Sequence, residues 1–518
     1  MKPRFRDAMT WLHTWTGLLV GWILFAIFLT GTLSFFQDEI SSWMQPELKN
    51  AATPVQAIAQ AEQFLRQKAP DSERWSITLP NARTQTTDLI WRTAGQNGRR
   101  FERQSLDGTG QAVALRDSRG GSFLYRFHFD LYYMPVIWAR WLVGICSMFM
   151  LLAMLTGVVI HKKIFKDFFS LQFFKGHKSW LDAHTITSVL ALPFHLMITY
   201  TGLVTLMFLY MFYAVSVNFG DSGNLFDQIS GQENKIVATG IKTPQVPLDT
   251  ILRQAQQQLN GAEISFVSIH YPGDQAALVE LREAATSALV SGFRVLQYSG
   301  TTGQLVQETT TAFSSEKVRR TLINLHSGRF ADPVLRWLYF LSGVMGTVMV
   351  ATGLLLWSAR RKARLPAGNA AGLNLKLVDW LNAGAVMGLM LAVTFYFWAN
   401  RLLPLQLADR AEWEIRCFFI SWGLTFIYAA VRGAHSAWLD GFKLTAALLL
   451  SLPLLNYLTT DRHLLNSVLQ SDWVMAGFDL TCFAFGLLSL LAVKHLKKRA
   501  HTKAQTAQNK HRLQEHAG

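Results

Sequence analysis

Four long stretches of this chain carry no Asp, Glu, Lys or Arg: residues 8–37, 141–160, 183–220 and 337–359. A membrane-crossing helix needs ~20 mostly apolar residues, and its backbone groups must be satisfied within the segment. All four runs meet that length, which constrains the chain to a helical membrane fold. Four further candidates follow at about 381–400, 417–431, 444–460 and 473–493, the last holding Asp479. The expected total is about eight spans. Only 16% of the 518 residues are charged, yet the spans leave room for sizeable polar segments.

A net charge of +15 can mark a nucleic-acid binder, but its placement here argues against that. Basic clusters at 2–6, 162–178, 360–364 and 494–499 each abut the end of a span. By the positive-inside tendency, both termini and the loops 162–181 and 360–375 face the cytoplasm. Residues 38–135 and 212–333 then face outward, into the periplasm of a bacterium, and the chain sits in the inner membrane among lipid. The first apolar run is too long for a cleaved leader and is expected to remain as an anchor. Cys146, Cys417 and Cys482 all fall inside spans. They form no CxxC pattern and read as small apolar core residues.

The first two-thirds of the chain reads as a parallel duplication. His13-Thr14 is followed by Thr30-Gly31, and His184-Thr185 by Thr201-Gly202, with 18 residues from His to Gly in both (31−13 and 202−184). Thr156-Gly157 and Thr352-Gly353 lie in the second and fourth spans, 29 and 27 residues after His128 and His326 (157−128 and 353−326). Small residues let membrane helices approach closely, so these dipeptides read as helix contacts. Each outward segment reads as a helix followed by strands. Thr53-Pro54 opens one helix and residues 248–259 form the other, with Asp107-Gly108 and Ser299-Gly300 at turns. The expected order is span 1 (1–37), module 1 (38–135), span 2 (136–161), loop (162–181), span 3 (182–211), module 2 (212–333), span 4 (334–359), loop (360–375), a four-span extension (376–499) and a disordered cytoplasmic tail (500–518).

Six histidines stand around the first four spans: His13, His128, His161, His184, His195 and His326. A buried imidazole needs a partner and is the commonest metal ligand among side chains. Paired axial ligation of haem iron fits this many histidines best. His13, His161 and His184 share the cytoplasmic edge, so two of them are expected to hold an inner haem. Two of His128, His195 and His326 are expected to hold an outer one, with Pro135 and Pro333 letting their segments fold back toward the membrane. His184 and His195 are 11 residues apart (195−184), ~16 Å along one face of a straight helix. The tryptophans near span ends read as interfacial anchors, and Arg329 as a surface arginine.

The stretches WLHTWTGLLVGW, FLTGTLSFFQDEI, LAMLTGVVIH, LDAHTITSVLALPFHLMITYTG and INLHSGRF carry a resemblance. Over about residues 1–365 the chain resembles the PepSY-associated transmembrane family, often called iron-regulated membrane proteins. The resemblance implies two periplasmic α+β PepSY-like modules and b-type haem, two per chain, among the spans. It also implies ferric-siderophore reduction, with electrons passed outward from the cytoplasmic side. The four-span extension departs from the shorter members of the family. No nucleotide or flavin motif is present, so the electron donor is expected to be a separate reductase or a membrane quinol. The alternatives are a non-enzymatic regulator whose modules bind peptidases, and a transporter. Few charged residues within the spans weigh against the last.

Overall fold

The computed structural model describes residues 5–48, 52–95, 98–161, 177–220, 236–284, 289–290, 294–310, 314–366 and 372–515. The first unit opens with α1 (Phe5–Ser34) and a short α2 (Gln37–Met44). Thr53 then caps α3 (Pro54–Lys68) in a reciprocal box with Gln56, with Pro54 in the first turn. Strands β1 (Arg74–Thr78), β2 (Thr87–Gly95) and β3 (Gly98–Leu106) follow, then α4 (Gly120–Asp130) and α5 (Val136–Ile160). Between α4 and α5 three consecutive non-glycine residues are left-handed, Leu131, Tyr132 and Tyr133 at φ 51°, 48° and 46°. Each such residue costs roughly 1–2 kcal/mol, so neighbours must hold this turn.

The same kinds of element return in the second unit. They are α6 (His177–Leu190), α7 (Leu192–Thr205), α8 (Leu248–Gln258), β4 (Ile264–His270), β5 (Leu278–Glu283), β6 (Arg294–Ser299), β7 (Leu305–Thr310), α9 (Ser314–Ser327) and α10 (Pro333–Ala363). Helix α1 packs on α5 and α10, α6 packs on α10, and α7 packs on α5, which closes a ring of four spans. The third span is not the continuous helix expected over 182–211. Its halves bend by 70° between Leu190 and Leu192. Pro193, in the first turn of α7, has no N–H to offer and crowds the carbonyl one turn back. The expectation that His184 and His195 share one straight helical face fails for that reason.

The segments expected to face outward also differ from that reading. They are not two separate modules. All seven strands form one antiparallel sheet in the order β3-β2-β1-β4-β5-β6-β7. The join is β1 with β4, paired from Arg74↔His270 to Thr78↔Phe266. Each half would otherwise leave an unpaired edge strand. Alternate strand residues, among them Trp75, Ile77, Leu89, Val267, Ile269 and Leu281, pack with the apolar faces of α3 and α8 into one core. The Glu62 carboxylate of α3 accepts the Leu248 N–H at the start of α8, 2.8 Å away, tying the two halves again.

Among the described residues the extension contributes four long helices: α11 (Leu373–Leu402, with a π turn at Ala383–Met387), α12 (Arg410–Arg432), α13 (Ala434–Thr459) and α14 (Trp473–Glu515), with a short helix at Leu464–Leu469 between the last two. Among the described residues, seven helices are long and apolar enough to cross a membrane, and the bent α6–α7 pair supplies at most an eighth. The tail expected to be disordered is helical to Glu515, continuing α14 through residues rich in Ala, Lys and Gln, all good helix formers. Most of the 162–181 loop lies outside the described residues. Asp479, inside α14, is fully buried and accepts hydrogen bonds from Trp43 Nε1 at 2.9 Å and Asn456 Nδ2 at 3.0 Å. A carboxylate inside a span is tolerated when it is partnered in this way.

Candidate functional site

In an α-helix each carbonyl accepts the N–H four residues on, and its second lone pair is screened by the Cβ of that later residue. A glycine at that position uncovers the lone pair. The chain uses this arrangement four times. His13 Nδ1 lies 2.8 Å from the carbonyl of Ala153, one turn before Gly157. His184 Nδ1 lies 2.8 Å from Met349 O, one turn before Gly353. His128 Nδ1 lies 2.7 Å from Ile27 O, one turn before Gly31. His326 Nδ1 lies 3.0 Å from Ile198 O, one turn before Gly202. A methyl group on these glycines would meet the imidazole Cε1 at 3.3, 3.1, 2.6 and 2.9 Å for Gly157, Gly353, Gly31 and Gly202. Each glycine is therefore a seat for one ring.

A carbonyl oxygen only accepts, so each Nδ1 carries the proton and each Nε2 keeps its lone pair. No Nε2 of these four histidines has a hydrogen-bond partner among the described residues. Two rings have an extra neighbour. Thr156 Oγ lies 3.4 Å from His13 Nδ1 and Thr201 Oγ 3.2 Å from His326 Nδ1. Both hydroxyls already donate to a carbonyl one turn back and can accept from the imidazole.

The four rings form two pairs. His13 and His184 have ring centres 6.2 Å apart at an interplanar angle of 72°. His128 and His326 are 6.1 Å apart at 30°. Each pair takes one histidine from each unit. On α1 the first pair lies at His13 and the second at Ile27 to Gly31, 14 to 18 residues on (27−13 and 31−13), or ~21–27 Å along the helix. Helix α4 brings His128 back against α1 from the α4–α5 turn, and α9 does the same for His326 against α7. This is the fold-back expected at Pro135 and Pro333.

A cavity of about 240 Å³ is lined by His13, His184, His161, His195, Arg360 and Arg361, together with apolar residues of α1, α5 and α10. One water needs only ~10–15 Å³ on this measure, so the space is far larger than a hydration site. His161 ends α5, with its backbone N–H on Gly157 O at 3.2 Å, and lines the cavity beside the first pair. His195 is fully buried on the same cavity wall. Its ring is turned the other way, with Nε2 3.3 Å from Ser342 O and its edge toward Phe28. It makes no ring pair with His128 or His326. Arg329 is exposed, as expected.

A family description, the PepSY-associated TM region, matches residues 10–360. The chain belongs to this family. The match spans both units and stops in the last turn of α10, so the extension lies beyond it. No curated protein matches the chain. Within this member of the PepSY-associated family, the Thr-Gly dipeptides do more than the helix contact read from sequence, since each seats an imidazole. The signal was the repeat itself: four glycines and four histidines recur together, whereas His161 and His195 stand outside the pattern.

Two imidazoles facing one metal from opposite sides, at about 2.0 Å per metal–nitrogen bond and roughly 1.2 Å from nitrogen to ring centre, have centres about 6.4 Å apart. Both pairs have that spacing. Among the described residues no group of three or more His, Cys, Asp or Glu is placed to hold a metal ion. Two-imidazole sites suit a metal that brings its own in-plane ligands, as haem iron does. The donors, their fixed protonation and the cavity at the first pair all fit haem.

Proposed function

We propose that this chain is a two-haem oxidoreductase of the bacterial inner membrane, carrying electrons outward from the cytoplasmic side to a ferric siderophore. The observation that carries the reading is the pair of bis-imidazole sites, 6.2 and 6.1 Å across, with all four Nδ1 atoms committed to carbonyls. His13 with His184 would hold the inner haem b, and His128 with His326 the outer one. Bound haem iron supplies one-electron chemistry at low reorganisation cost. The chain's own part is to fix the ligand tautomers, since Nδ1–H bonds to carbonyls orient the rings and raise their basicity. Arg360 and Arg361 on the cavity lining provide positive charge for the acidic groups of an inner haem. The basic span ends support an inner site on the cytoplasmic side and a sheet on the periplasmic side. A separate reductase or a quinol would supply electrons, and iron(II), bound more weakly by siderophores, would be released.

The test begins with protein purified in detergent and a reduced-minus-oxidised spectrum. Two haems per chain with a b-type α-band are expected, and addition of a ferric siderophore should reoxidise the dithionite-reduced protein. Haem-free protein without bound iron refutes the reading and leaves the module as a regulator. Haem that stays reduced in the presence of the chelate refutes the reductase step alone.

A further inference from the structure

We propose that the four-helix extension, residues 372–498, is a clamp that fixes His128 and so shapes the second imidazole pair. The inference rests on the two-haem reading.

Helix α4 is wedged between α1 and the extension. His128 faces α1, where it reaches Ile27 O at 2.7 Å. Phe123 and Phe127, one turn apart and both buried, face the other way. Phe123 meets the rings of Tyr396 at 5.0 Å and Phe418 at 5.1 Å. Phe127 meets Phe418 at 5.6 Å, Phe419 at 5.7 Å and Trp422 at 6.0 Å. All four partners belong to α11 and α12. Aromatic pairs in such edge-on and tilted arrangements add specific attraction to their buried area.

Both ends of α4 are held from the same side. At its start, Tyr396 Oη donates to Gly120 O at 2.9 Å, Ser118 Oγ donates to Glu414 at 2.6 Å, and Arg116 donates to Asn400 O at 3.1 Å. At its end lies the left-handed turn Leu131–Tyr133, which is unfavourable without support. Tyr132 Oη donates to Glu412 at 2.7 Å, and the Phe419 ring covers Tyr132 and Tyr133 at 5.9 and 4.8 Å. The carboxylate network behind these contacts is itself locked, with Arg410 and Glu414 forming a fully buried ion pair.

The matching helix of the second unit is held differently. Helix α9 runs along α7, with Arg319 over the Phe208 ring at 5.1 Å and Asn324 donating to Leu289 O at 3.0 Å. The extension thus supports one histidine of the second pair and leaves its mate to the second unit. Residues beyond the family match have acquired a positioning role on a family element.

The experiment uses full-length protein in detergent and reads the haem signals, not turnover. His184→Ala and His326→Ala first assign the low-spin ferric resonances and midpoint potentials to the two sites. Tyr132→Phe, which removes only the bond to Glu412, and Phe419→Ala are then compared with Tyr457→Ala, an exposed extension residue away from α4. Tyr132→Phe should shift the potential and resonance of the His128/His326 site alone. Phe419→Ala should lower its haem occupancy while the His13/His184 site stays full, and Phe419→Tyr should restore it. Wild-type protein with two haems whose second-site signal is unmoved in both Tyr132→Phe and Phe419→Ala overturns the clamp. So does an equal shift at both sites in Tyr132→Phe. Haem-free wild-type protein would instead remove the two-haem reading on which the clamp stands.

Discussion

Gly31→Ala is the most informative single substitution. The added methyl would sit 2.6 Å from Cε1 and 2.7 Å from Nδ1 of His128. Ordinary contact lies at about 3.5–4.0 Å, so the ring must retreat by roughly 1 Å. It cannot do so and keep its 2.7 Å bond to Ile27 O, and Phe123 and Phe127 hold α4 from behind. Overpacking costs about 1–3 kcal/mol and the lost hydrogen bond about 1 kcal/mol more. On the two-haem reading, at 1.4 kcal/mol per decade, a total of ~2–4 kcal/mol would weaken haem binding at the second site roughly 30- to 1,000-fold. Alanine also favours the α1 helix by ~0.5–1 kcal/mol, so the loss should not come from unfolding. Gly157→Ala is the matched comparison, since its methyl would stand 3.3 Å from His13 Cε1 and a few tenths of an ångström suffice. Haem-to-protein ratio and redox titration are the assay. Expected are one haem in Gly31→Ala and two in Gly157→Ala, with the first-site potential unchanged in Gly31→Ala. Gly31→Ala protein with two haems of wild-type potential would refute the seating argument, as would loss of the His13/His184 haem instead.

Three further outcomes are expected. His195→Leu should keep two haems and an unchanged spectrum, with thermal stability equal or higher, because it removes a buried Nδ1 that has no partner; loss of either haem would reinstate His195 as a ligand. Asp479→Leu leaves the Trp43 N–H and an Asn456 N–H unpaired, about 1–3 kcal/mol each, and should lower the unfolding temperature clearly more than Asp479→Asn. In the sheet domain, the Asp274 carboxyl is held down to about 2 by the N–H of Ala276, then by the hydroxyl and N–H of Thr239 and the N–H of Gly240. A depressed carboxyl stabilises above its unfolded value of ~3.9 and ceases to as pH falls through about 2. Hydrogen-exchange protection around residues 236–241, relative to the intrinsic rate, should therefore fall as pH drops between those limits, and Asp274→Asn should abolish that pH dependence.

Much of this architecture was legible in residues taken one segment at a time. Charge-free runs gave the long helices, Thr53-Pro54 gave the start of α3, and the turns at Asp107 and Ser299 stand where they were read. What escaped involves partners distant in sequence. The pairing of β1 with β4 joins edges that local pattern treats as equivalent to any other edge. The 70° bend was hidden because both of its arms are apolar, though Pro193 stood in plain view. Six candidate ligands were visible, and the repeat matched His13 with His184 and His128 with His326; the carbonyl that each imidazole meets was not visible, since a carbonyl has no sequence signature. The glycines did carry a signature, but close helix contact explained it equally well. Asp479 weakened the reading of the last span, because its compensating donors sit on α2 and α13.

The single seven-stranded sheet bears on how the molecule can move. Both imidazole pairs straddle the seam between the two units. A rocking motion of one unit against the other, as parallel-repeat transporters use, would open that seam and stretch both pairs. The β1–β4 ladder acts as a crossbar across the seam, and the Glu62 link reinforces it. Parts yoked in this way make a poor gate and a good fixed wire. On the two-haem reading, their value to the cell would lie in holding distances constant while only electrons move.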